Sequence, residues 1–271
     1  MIREQPLRFG PGGRLFGILA HPRSEPAGKT ALLIPNTGLD HRCGPNRLHV
    51  HLSRALAEAG FPTLRMDLSG LGDSLPLPPD VEGDAVDDLR AAMDHLGSLG
   101  IARRFGGIGI CSGGHDVHRL SLADPRIVAS ACIDHYAWPT TGFRLRYWSE
   151  RLLAPRRVAN PLARWIRREP DSEPASIRGE DADLFEQPSA SEFSRDLDRL
   201  MIRKVALFFL FTGDMLSTYN YRSQLTDAFP RLHRYAPLAV HFLPHTDHTF
   251  TQVAMRQAFV EALCRWATRF L

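Results

Sequence analysis

Short apolar runs alternate with amphipathic segments along most of this 271-residue chain. Short runs that are apolar throughout are typical of strands buried on both faces of a parallel sheet. Such strands are predicted at residues 30–34, 62–68, 105–110, 127–133, 205–211 and 238–243. Helices are predicted between them, at residues 46–58, 86–96, 113–123 and 259–270.

The order of these elements predicts the fold class. Strands that alternate with helices imply right-handed crossovers and a mostly parallel sheet with helices on both faces. The chain opens with a predicted hairpin, residues 7–9 and 14–21, around the turn Gly10-Pro11-Gly12-Gly13. Asn46 is expected to cap the first helix.

The alternation breaks between residues 135 and 203. We interpret this stretch as a lid inserted over the carboxyl ends of the strands, where α/β folds bind their ligands. The core domain is then formed by residues 1–134 and 204–271.

The run Gly109-Ile110-Cys111-Ser112-Gly113 joins a predicted strand to a predicted helix. It has the Gly-x-nucleophile-x-Gly pattern of a nucleophile elbow, a sharp turn that exposes one reactive side chain. Only Cys111 has glycine two residues before it and two after it, so cysteine is preferred to Ser112 as the nucleophile. A chance glycine cluster or a dinucleotide loop is the alternative, but the last glycine of that fingerprint is missing.

A thiolate nucleophile needs a histidine to take its proton and an acid to orient that histidine. The expected chain order is nucleophile, acid and histidine, with the last two after late strands. Asp214 and His248 follow the last two predicted strands and complete a predicted triad with Cys111. Asp134, after an earlier strand, and His245 are the alternatives.

The oxyanion of an acyl-transfer reaction needs two backbone donors. The N–H of Ser112 is one candidate, and the N–H of Thr37 or Gly38, after the first parallel strand, is the other. Further side chains are candidates for contact with substrate: Asn36, His115, Trp138 and Trp148.

Composition excludes several functional classes. Four widely spaced cysteines form no CxxC pair, which argues against a zinc site or a disulfide framework. A net charge of +3, without a matching motif, argues against nucleic-acid binding. The first residues lack the apolar core of a signal peptide, and no apolar stretch is long enough to span a membrane. We therefore expect a soluble cytoplasmic protein without cofactor or metal.

The predicted lid is rich in arginine and aromatic residues, and acidic residues follow them. The arginines are Arg144, Arg146, Arg151, Arg156, Arg157, Arg164, Arg167 and Arg168. They either form a solvated face paired with the acidic stretch or receive an anionic partner. An acyl carrier protein or the phosphopantetheine arm of a coenzyme A thioester has the required charge.

These motifs resemble the α/β-hydrolase superfamily over nearly the whole chain outside the lid. The Gly-x-Cys-x-Gly-Gly elbow is similar to that of dienelactone hydrolases, which use cysteine. Other segments look more like the hydrolases associated with exosortase systems: Pro35-Asn36-Thr37-Gly38, residues 41–49, residues 67–74 and Asp247-His248-Thr249-Phe250. The usual His-Gly after the first parallel strand is Asn36-Thr37 here.

The resemblance implies an α/β-hydrolase fold and acyl-transfer chemistry without a cofactor. Cysteine as nucleophile favours a thioesterase or acyltransferase, because a thiolate exchanges with a thioester at little cost in energy. A lactone or carboxylic-ester hydrolase of the dienelactone type is the second interpretation. A binding module that has kept the fold without catalysis is the third.

Overall fold

Eight strands form one sheet in the computed structural model, which describes residues 2–23, 30–153 and 187–271. The strands are β1 Arg3–Phe9, β2 Leu15–His21, β3 Thr30–Ile34, β4 Thr63–Asp67, β5 Arg104–Ile110, β6 Ile127–Ile133, β7 Ala206–Thr212 and β8 Leu238–Leu243. Their spatial order is β1-β2-β4-β3-β5-β6-β7-β8. Strands β1 and β2 pair antiparallel, as do β2 and β4, and every later pairing is parallel. The predicted sheet is confirmed.

Helices cover both faces of this sheet. They are α1 Leu48–Glu58, α2 Ala85–Ser98, α3 Ser112–Ala123, α4 Thr141–Leu153, α5 Ala190–Ile202, α6 Gln224–Ala228 and α7 Val253–Phe270. Apolar residues of α1 and α7 pack on one face, and those of α2, α3 and α5 pack on the other. Among the described residues, none of the helices combines the length and apolarity needed to cross a membrane.

The start of α1 differs from the prediction. Asn46 and Arg47 both have left-handed backbone angles, with φ of 49° and 59°, and the helix begins only at Leu48. The side-chain amide of Asn46 donates a hydrogen bond to the backbone oxygen of Thr249 at 3.0 Å instead of capping the helix. Asn46 therefore links this turn to the loop that carries His248.

The stretch predicted to be a lid divides into unlike parts. Helix α4 follows β6, and residues 154–186, which hold most of the predicted arginine cluster, lie outside the described residues. Helix α5 buries Phe193, Leu197 and Leu200 against the sheet. It thus occupies the position of a crossover helix between β6 and β7, and a covering role for residues 135–203 stays a prediction.

Candidate active site

Cys111 lies at a sharp turn between β5 and α3. Its backbone angles, φ 54° and ψ −119°, are rarely adopted by a residue with a side chain. A Cβ atom on Gly109 would lie 2.0 Å from the backbone oxygen of Gly113, and one on Gly113 would lie 2.5 Å from that of Asn36. Both glycines are thus required by close backbone contacts, and the strained residue between them is Cys111 rather than Ser112.

Gly109→Ala is expected to lower Tm by about 6–12 °C, because the added methyl group meets backbone that cannot move aside. Gly97→Ala is the matched control, since a Cβ there would lie 3.8 Å from its nearest neighbour. That change, inside α2, should stabilise the protein by up to about 1 kcal/mol. Thermal unfolding of both variants checks the prediction. Equal Tm values would contradict the claim that the backbone leaves no room for a side chain at position 109.

His248 faces Asp134 across the carboxyl ends of the strands. The His248 Nδ1 atom lies 2.7 Å from Asp134 Oδ2, and the Asp134 side chain is fully buried. Thr212 donates two further hydrogen bonds to this carboxylate, from its backbone N–H at 2.7 Å and its hydroxyl at 2.6 Å. These contacts fix the carboxylate against the imidazole.

The structure corrects the expected position of Asp214. Its carboxylate accepts a hydrogen bond from the backbone N–H of His248 at 2.6 Å, so it contacts the loop rather than the imidazole ring. The alternative acid, Asp134, contacts the ring. Asp214 lies in a short helical turn, Gly213–Ser217, which directs its side chain to the backbone. His245, the alternative histidine, is exposed.

The charges around His248 favour its protonated form. Burial alone would lower the pKa of this imidazole, but its hydrogen bonds to Asp134 and Cys111, together with favourable charge interactions with both, raise it to about 10. The ring is therefore arranged to hold a proton beside the sulfur atom of Cys111.

The loop after β3 approaches the elbow through Gly38. The N–H of Gly38 donates to the hydroxyl of Ser112 at 2.7 Å, so this donor is already engaged. The N–H of Ser112, the first residue of α3, has no acceptor within its own helix. The Thr37 hydroxyl lies 3.2 Å from Nε2 of His49. Of the two predicted donors in this loop, Thr37 is thus favoured over Gly38.

The side chain of Asn36 has a structural role that the sequence did not reveal. Its amide nitrogen donates to Asp67 Oδ1 at 3.0 Å and to the backbone oxygen of Asp40 at 2.7 Å. Its amide oxygen accepts from the N–H of Leu68 at 2.7 Å. These bonds tie the β3 loop to Asp67 and to the loop after β4. Asn36 also lines the cavity beside Cys111, so a contact between this residue and substrate stays a prediction.

The other predicted contact residues are outside the lining of the cavity beside Cys111. The Nδ1 atom of His115 contacts the hydroxyl of Tyr136, and burial lowers the His115 pKa to about 4. Trp138 stacks on Phe193 at 4.5 Å between ring centroids, whereas Trp148 is exposed on α4. None of the three predicted residues lines the cavity beside Cys111.

That cavity, called here the Cys111 cavity, has a volume of about 450 Å³. Part of its wall is apolar and consists of leucines from the loops after β3 and β4: Leu39, Leu68, Leu71 and Leu77. Polar residues form most of the rest of the wall: Asn36, Ser69, Asp84, Asp88, Ser112, Asp116 and Arg119. A small organic group bonded to Cys111 can be held here.

One group of potential metal ligands lies close together within the described ranges: His41, Asp67 and Asp73. The guanidinium of Arg42 binds both carboxylates, at 2.5 Å from Asp67 and 2.7 Å from Asp73. A permanent positive charge already occupies the position that a metal ion would take, so these residues do not fit a metal site.

The comparisons with known proteins agree with this architecture. The description "Alpha/beta hydrolase family" is that of a family model that matches residues 33–262. The chain belongs to the α/β-hydrolase family. Its sequence matches none of the curated proteins with which it was compared.

Solved structures of several hydrolases share the fold. A dienelactone hydrolase from Anabaena variabilis is 15% identical, with a TM-score of 0.60 over 100% of this chain and 99% of that one. An esterase domain from Rhodothermus marinus is 18% identical, with a TM-score of 0.56 and the same coverage. An epoxide hydrolase from Vigna radiata is 16% identical, with a TM-score of 0.56 over 99% and 98% of the two chains. The family model places the chain among the α/β hydrolases, the neighbours show the fold, and the substrate stays open.

Proposed function

We propose that the protein transfers acyl groups through a covalent intermediate on Cys111, with His248 as the base and Asp134 as the acid that orients it. The observation that carries the proposal is the chain of contacts from the strained Cys111 to His248 and from His248 Nδ1 to Asp134. This chain has the order of groups that nucleophilic acyl transfer requires.

The proposed reaction begins with His248 protonated beside the sulfur of Cys111, since the raised pKa of His248 keeps the proton on the ring. The sulfur of Cys111 attacks the acyl carbonyl, and the N–H groups of Ser112 and Thr37 receive the developing oxyanion. The intermediate collapses as His248 gives its proton to the leaving group. Water or another acceptor then loses a proton to His248, attacks the thioester and frees Cys111.

An acyl thioester is the preferred donor in this proposal. The thioester bond of the donor breaks while a new thioester forms on Cys111, so the donor and the acyl-enzyme differ little in energy. Two arginines, Arg144 and Arg146, lie on α4 after β6, and they suit an anionic coenzyme A or carrier-protein donor. Arg146 also lies over the ring of Tyr221 at 4.3 Å.

A lactone or carboxylic-ester hydrolase of the dienelactone type is the second candidate function. The volume of the Cys111 cavity favours this second function, because about 450 Å³ is enough to hold a small lactone ring. A non-catalytic binding role is the third candidate, and it predicts no acyl adduct with any donor.

Matched oxoester and thioester donors of one acyl group test the proposal. We expect kcat/KM for the thioester to be higher by at least about tenfold after correction for spontaneous hydrolysis, equivalent to about 1.4 kcal/mol in the transition state. Intact mass spectrometry after brief exposure should show a single acyl adduct. Adding an amine or a thiol acceptor distinguishes transfer from hydrolysis. Equal rates for the two esters would remove the basis for preferring thioesters.

A further inference from the structure

Asp116 is a buried carboxylate in the wall of the Cys111 cavity. It lies one helical turn after Ser112 on α3, and Arg119 follows at the next turn, so all three line the cavity from one face of the helix. Only 6% of the Asp116 surface is exposed. Among the residues that the structure describes, no hydrogen bond or ion pair to its side chain is found, and an ionised group so placed lacks compensation.

The neighbouring charged groups of the cavity already have partners of their own. Asp88 accepts hydrogen bonds from the N–H of Ser69 at 2.6 Å and from its hydroxyl at 2.8 Å. Asp84 caps α2 and also pairs with Arg119, the cation of this wall. Three carboxylates and one guanidinium thus line the cavity, and the guanidinium is shared with Asp84 rather than reserved for Asp116.

The electrostatic environment of Asp116 agrees with this geometry. Burial is the main cause that raises the pKa of the carboxyl to about 6; Arg119 opposes the rise, and Asp84 and Asp88 contribute to it. At neutral pH the group is still mostly ionised and faces a cavity with excess negative charge. Buried groups with uncompensated charge are concentrated at functional sites.

We propose that Asp116 selects the acyl group: it binds a protonated amine at the end of an acyl chain whose apolar stem lies along the leucine wall. This inference rests on the proposed function, since an acyl chain occupies the cavity only if Cys111 is acylated. The same charges disfavour acyl groups that end in a carboxylate. Asp116 is therefore a specificity-determining residue outside the predicted triad.

Three thioesters of similar length test the selection: 6-aminohexanoyl, heptanoyl and adipoyl N-acetylcysteamine. The wild-type protein should prefer the amine to the carboxylate in kcat/KM. Asp116→Asn should reduce that preference by about 10- to 100-fold, the contribution of a hydrogen bond to a charged group. Activity on the heptanoyl thioester should persist, which shows that the variant is folded. Glu261→Gln, which removes an exposed carboxylate from the solvent side of α7, is the control and should leave the preference unchanged.

Charged thiol reagents separate this inference from the proposed function, because they require no turnover. Rates of Cys111 modification are compared for the 2-aminoethyl, methyl and 2-sulfonatoethyl methanethiosulfonates. The ratio of cationic to anionic rates should fall in Asp116→Asn by about tenfold. An unchanged ratio would overturn the inference even if thioesters are hydrolysed. A reduced ratio without any thioester turnover would support charge selection by Asp116 and reject the proposed acyl transfer.

Discussion

Replacing Cys111 with alanine is expected to lower kcat/KM on the best thioester donor by about 10⁴- to 10⁶-fold and to abolish the acyl adduct. Losses of this size follow when a nucleophile that works as a unit with its base is removed. His248 and the oxyanion donors remain in the variant, so some catalysis over water should survive. The measurement is steady-state turnover together with intact mass spectrometry.

Ser112→Ala is the matched control, because it removes the neighbouring hydroxyl instead of the thiol. The Ser112 hydroxyl accepts a hydrogen bond from Gly38, so its loss should loosen the β3 loop and lower kcat/KM by about tenfold. The mass added by the acyl group should be the same in this variant as in the wild-type protein. An inactive Ser112→Ala variant beside an active Cys111→Ala variant would identify the serine as nucleophile.

Cys132 and Cys264 should not interfere with this experiment. Burial raises the pKa of Cys132 to about 12 and that of Cys264 to about 11, so both thiols stay protonated at neutral pH. Iodoacetamide should therefore modify Cys111 much faster than either of them. Similar rates at all three thiols would favour a binding role for the fold.

Much of the fold can be predicted from the sequence because its signals are local. The segments that form β3, β5 and β6 are buried on both faces of the sheet, and this burial appears in the sequence as short apolar runs. The start of α1 could not be predicted in the same way. Asn46 is a residue type that often caps helices, but its amide donates a hydrogen bond to Thr249, 203 residues further along the chain.

The same distinction, between local signals and contacts made only in the fold, applies to the candidate site. The elbow is a contiguous motif, and Gly109 is explained by its local contact with Gly113, whereas the close contact at Gly113 is with Asn36 in the β3 loop. The choice between Asp134 and Asp214 depends on side-chain direction at the ends of two adjacent strands, which residue order does not specify. Asp116 was missed because its signal is burial without a partner. The sequence shows only that Asp116 is four residues after Ser112, which places both on one face of the helix.

Asp134→Asn is expected to lower kcat by about 10³- to 10⁴-fold, because an amide cannot hold the imidazole in the same tautomer or balance its positive charge. Asp214→Asn, the matched control, retains an oxygen that accepts the backbone N–H of His248 and should cost no more than about tenfold. The ratio of the two losses decides which carboxylate is the acid. A larger loss in Asp214→Asn would restore the acid favoured by the sequence.

The pH dependence of the imidazole gives a second, independent measure of the same pair. The negative charge and hydrogen bond of Asp134 help to raise the pKa of His248 to about 10, so the imidazolium is stabilised below that pH and loses its proton as pH rises through it. Removing the charge in Asp134→Asn should shift this titration toward the ordinary histidine value of about 6.5. Asp214→Asn should leave it nearly unchanged, because Asp214 contacts the backbone rather than the ring. NMR titration of the His248 ring protons measures both shifts, and an equal shift in the two variants would mean that both carboxylates act on the imidazole.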